Sequence, residues 1–134
     1  MSRPPSSLDD LPSNVLRPLA GLPLATLRSW AEAAGHRYVQ IDLGTARDKQ
    51  AALKAIGRAL EFPDWYGANL DALYDCLTDL PERKDVPGWL LVIERLPPPA
   101  ALDPEQRAAL LDVFRDAADA FADDGVPLRV FFGG

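Results

Sequence analysis

Apolar positions along this chain alternate between two periods, one helical and one extended. Leu24, Leu27, Trp30, Ala31 and Ala34 fall on one helical stripe, and Gly35 is placed to end that helix in a left-handed cap. "RYVQIDL" follows, with β-branched and aromatic content over the length of a strand. Leu53, Ile56 and Leu60 mark a second helix from about Asp48 to Glu61. Thr45 and Asp48 resemble its capping box, and Pro63 is expected to end it. A third helix begins after Asn69, its expected N-cap. Leu70, Leu73, Cys76, Leu77 and Leu80 face inward, and "PERKDVPG" is expected to break the chain after it. "WLLVIE" is a continuous apolar run, the pattern of a strand buried on both faces. In "LDPEQ", Asp103 reads as an N-cap, Pro104 as the first helical residue and Gln106 as the third position of the box. Leu110, Leu111, Phe114, Ala117, Ala118 and Phe121 carry that last helix to Gly125, and "VPLRVFF" reads as a closing strand. Helices alternating with strands predict a small parallel α/β sheet packed by helices. Residues 1–22, rich in Pro and Ser without a sustained period, are expected to be a flexible lead-in to one domain over 23–134.

Composition narrows the function. The chain has 134 residues, 48% hydrophobic and 25% charged, as a globular domain would. No apolar run approaches the ~20 residues of a membrane-spanning helix, and the N-terminus lacks the apolar core of a signal peptide, so a cytoplasmic location is expected. The single Cys76 agrees with a reducing compartment and, on the apolar stripe of its helix, reads as a buried thiol. A net charge of −6 argues against nucleic-acid binding and either favours a cationic partner or reflects solubility alone. HExxH, paired CxxC, GxSxG, Walker A and GxGxxG motifs are all absent, so no metal or cofactor is expected. His36 reads as a solvated residue behind a helix cap, and the terminal "FFGG" as a frayed end.

One pattern works against stability. Asp71, Asp75 and Asp79 stand one turn apart on the third helix, where like charges repel. Asp71 is in the first turn, where the helix dipole favours it; Asp75 gains nothing from that source, and Asp79 is disfavoured. Asp71, Tyr74, Asp75 and Thr78 share one face, and Asp112, Asp116, Asp119 and Asp123 form a similar row on the last helix. A solvated face is the ordinary explanation. However, the acids lack basic partners at i,i+4, and Trp65, Tyr66 and Tyr74 are interleaved with them, as at interface hot spots. An acid/base couple of Asp71 and Asp75 is a further reading, but a convex helix offers no cleft between them.

The stretch "PDWYGANLDALYDCLTDL", residues 63–80, resembles the signature segment of the barstar family of intracellular ribonuclease inhibitors, and "VFRDA", residues 113–117, resembles a second family segment. The resemblance covers about residues 36–134, with an extra N-terminal helix at 24–34 as in longer relatives. It implies a three-stranded parallel sheet packed by helices. The implied activity is non-enzymatic: stoichiometric inhibition of a basic, extracellular-type ribonuclease by an acidic helix that plugs its active site. The resemblance places the phosphate-mimic role on Asp75 and a supporting charge on Asp71. Trp65 and Tyr74 fall at aromatic contact positions, Thr78 lies on the same face, and Asp116 contributes a further charge. Asp79 departs from the pattern, which has Gly-Trp where this chain has Asp79-Leu80, and reads either as a contact particular to this chain's partner or as a solvated charge. Two other readings stay open: an immunity module against a different basic toxin, and a carboxylate-pair hydrolase. The free protein is expected to be a monomer.

Overall fold

The computed structural model describes residues 6–83 and 86–133. What the sequence suggests for residues 1–5, for Lys84 and Asp85 in the expected break, and for Gly134 lies outside that range. The element order is β1 (Val15–Pro18), α1 (Leu24–Ala33), β2 (Arg37–Asp42), α2 (Lys49–Ala59), α3 (Leu70–Arg83), β3 (Trp89–Arg95), α4 (Pro104–Asp123) and β4 (Leu128–Phe132), with a short 3-10 turn at Leu8–Asp10 ahead of β1. All strand pairs are parallel, in the order β1-β4-β3-β2.

The sheet therefore has four strands, not the expected three. The fourth comes from the expected lead-in: Val15–Pro18 lies along Arg129–Phe132. Four residues that end in proline carry too little period to be recognised as a strand alone. Asn14, at φ 58°, turns the chain into it, and its side-chain amide donates to Ala118 O and Val126 O, both at 3.0 Å.

Strand alternation divides the core in two. Trp89, Leu91, Ile93, Leu128 and Val130 pack with Leu53, Ile56, Leu73, Leu77, Phe114 and Phe121 beneath α2, α3 and α4. Leu90, Val92 and Phe131 point the other way, against Leu27 and Ala31 of α1 and Leu8 and Leu11 of the N-terminal segment. Both faces of β3 are covered, as its unbroken apolar run requires.

Helix ends follow local chemistry. The Asp103–Gln106 capping box is formed in both directions, with Pro104 in the first turn. α1 ends on Gly35 at φ 75°, where His36 N–H donates to Ala31 O at 2.8 Å. Three helix ends differ from expectation. Asp48 is itself the N-cap of α2, accepting from Ala51 N–H at 2.8 Å, so Thr45 has no box to complete. α2 closes at Ala59, before Pro63, and α3 runs past Leu80 to Arg83 with Pro81 inside it. So near a C-terminus, a proline forfeits one N–H bond rather than breaking a long ladder.

Candidate functional site

α3 sorts its residues by face. Leu73, Cys76, Leu77 and Leu80 are at most 1% exposed, while Asp71, Tyr74 and Asp75 point outward. The helix starts at Asn69, whose side-chain oxygen accepts from Ala72 N–H at 2.8 Å and so holds the first turn, which carries Asp71. α4 packs alongside α3. Between them lies an open groove of about 560 Å³, lined by Leu70, Asp71, Tyr74, Asp75, Val113 and Asp116.

Packing thus brings together Asp71, Tyr74, Asp75 and Asp116, four of the residues singled out in the sequence. The cleft that a lone convex helix could not offer is supplied by the second helix. Trp65 stands on the loop that leads into α3 and is 62% exposed; Tyr74 is 37% exposed. Thr78 and Asp79 do not line the groove. The Thr78 hydroxyl donates back to Tyr74 O at 2.9 Å and to Asp75 O at 3.2 Å, and Asp79 is half-buried on the helix flank. Leu70 and Val113 are groove residues that the sequence pattern does not mark: its helical period assigns Leu70 to the inward stripe. Val113 precedes Asp116 by three on α4, and that spacing was the available signal.

The groove carries uncompensated negative charge. Among the described residues no lysine or arginine pairs with Asp71, Asp75 or Asp116. Arg115, the neighbour of Asp116, pairs with Asp112 instead, at 2.7 Å. All three acids are exposed. Among the described residues no group of three or more acids, histidines or cysteines is gathered as a metal would require.

The other singular residues lie elsewhere. Cys76 is buried in the α3 core. His36, expected to be solvated, is half-buried instead. Burial first, and then the Arg129 guanidinium, hold its pKa below the ordinary value, with Asp9 acting weakly the other way. Its Nδ1 is buried without a hydrogen-bond partner, and a Cβ at Gly88 would lie 2.6 Å from that atom. No described helix is long and apolar enough to cross a membrane.

A family model described as Barstar (barnase inhibitor) matches residues 36–133, which hold the whole groove. The chain belongs to the barstar family. Strand β1 and helix α1 precede the barstar-matched span, so the fourth strand and the cover over Leu90, Val92 and Phe131 are additions to it. The chain is also similar to "Putative ribonuclease inhibitor YrdF" of Bacillus subtilis (strain 168), 72% identical over 25 residues. That match covers 16% of this chain and 28% of the relative's length.

Proposed function

We propose that this barstar-family protein is a non-enzymatic, stoichiometric inhibitor that binds a basic ribonuclease and occludes its active site. The observation that carries this reading is the convergence of Asp71, Asp75 and Asp116 from two helices on one exposed groove, without basic partners among the described residues, beside Tyr74. A ribonuclease site is a cluster of cations shaped for phosphates, and fixed carboxylates are its complement. Asp75, in the middle of α3, takes the place of a substrate phosphate; Asp71 and Asp116 flank it, and Tyr74 and Trp65 supply aromatic contact area. Asp79 and Thr78 lie on the rim. The family description and the name of the relative point the same way.

The exposure of all three acids favours this reading over a hydrolase. A hydrolytic carboxylate couple works in a site that closes around its substrate and excludes water, and these acids stand exposed on an open groove. In the free state the inhibitor is a cytoplasmic monomer, and it pairs one to one with its nuclease.

Titration against barnase tests the proposal. The wild type should abolish ribonuclease activity at a one-to-one ratio, and Asp75→Ala should lose about 2–5 kcal/mol of binding, the usual cost of removing one partner from a buried charge pair. Wild type that leaves the activity intact would remove the ribonuclease from the reading. Asp75→Ala inhibiting as well as wild type would remove Asp75 from the phosphate position.

A further inference from the structure

The loop between α2 and α3 presents Trp65, and it is tied down more closely than its exposed tip suggests. α2 ends with Phe62 N–H donating to Gly57 O at 2.9 Å and Glu61 N–H to Arg58 O at 3.3 Å. The left-handed residue of this cap is Glu61, at φ 56°, where glycine is usual; Ala68, at the other end of the loop, is left-handed too, at φ 50°. Such backbone is held only where its surroundings over-determine it. Between these two points Tyr66 N–H donates to Pro63 O at 3.0 Å, closing a four-residue turn with Trp65 in its third position.

Tyr66 then fastens the turn to α2. Its hydroxyl donates to Leu53 O at 2.9 Å, and Phe62 meets its ring edge-on at 4.9 Å and 72°. The ring lies where Gly57 has no side chain: a Cβ there would stand 2.6 Å from Cε2 and 2.8 Å from Cδ2. Glycine inside a helix costs stability relative to alanine, and here the missing methyl is what admits the ring.

We propose that Gly57 and Tyr66 form a lock that sets the pose of Trp65 before a partner arrives, making both of them positioning residues for the ribonuclease-binding face; this rests on the inhibitor reading above. Neither residue lines the acidic groove. Their effect passes through Trp65. An aromatic anchor already held in its bound pose spares the ordering cost that a mobile loop pays on association.

Two measurements test the lock. The first needs no partner: backbone 15N relaxation of residues 63–67 in wild type, Gly57→Ala and Tyr66→Ala. The wild-type loop should be as rigid as α3, and both variants should loosen it while α3 keeps its order. Unchanged loop order in Tyr66→Ala, the variant that keeps the sequence of α2, overturns the proposal. The second is a cycle of barnase affinities. Tyr66→Ala should weaken binding about tenfold when Trp65 is present and less than about twofold in a Trp65→Ala background, and Tyr66→Phe, which keeps the ring, should restore most of the affinity. Equal losses in both backgrounds would mean a general structural role and would overturn the lock. If wild type does not bind barnase, the inhibitor reading fails and the relaxation measurement still decides whether the loop is locked.

Discussion

Asp75 and His36 are treated in opposite ways by the fold. Asp75 is left exposed without a counter-charge among the described residues, a modest cost to the free helix that a cationic partner would offset. His36 is drawn partly out of water beside Arg129, with no partner for its Nδ1. Because burial and Arg129 lower its pKa from 6.5, the unfolded chain binds the proton more readily than the folded one. Its contribution to stability is therefore complete above 6.5 and is lost as pH falls through that value toward the lowered pKa. As it is the single histidine, the urea midpoint should drop more steeply between about pH 7.5 and about pH 5.5 in wild type than in His36→Gln. Parallel pH profiles would refute the assignment. The sequence showed a histidine behind a helix cap, but not that Gly88, 52 positions along by subtraction of residue numbers, leaves room for its ring.

Among the elements, what sequence made legible were interactions spanning three or four residues. The box at Asp103–Gln106, the cap at Asn69, the left-handed Gly35 and the inward stripe of α3 all involve partners close along the chain. Asn69→Ala removes the cap of the helix that carries Asp71 and Asp75. It should cost about 1 kcal/mol of stability, seen as a lower urea midpoint. Fraying should reach Asp71 first, so affinity for barnase should fall as well. A variant as stable as wild type would show that tertiary packing alone holds the first turn. At the α2–α3 loop and at β1, where sequence reasoning failed, no local signal existed. Glu61 adopts a glycine-like backbone in a loop whose Phe62 and Tyr66 rings meet edge-on, and glutamate has no intrinsic preference for that conformation. β1 is a strand because β4 offers it an edge.

Over the whole molecule, charge is expected to govern association more than affinity. A net −6 and a groove lined by three acids should steer a basic nuclease from a distance. Its association rate should fall by about tenfold or more as salt rises from about 50 mM to about 500 mM, with dissociation changing far less. An association rate indifferent to salt in stopped-flow mixing would count against electrostatic steering. By itself, the sequence determined that helices alternate with strands, which face of each is buried, and that acids line α3 in excess of what stability wants. Those properties follow from periodicity and from bonds between near neighbours. Only the tertiary structure decided that Asp116 and Val113 stand across from Asp71 and Asp75, that a fourth strand closes the sheet, and that Tyr66 fills the space left by Gly57. The groove partners on the two helices lie some forty residues apart, by subtraction of residue numbers, and no period relates them; helix packing on a shared sheet brings them together.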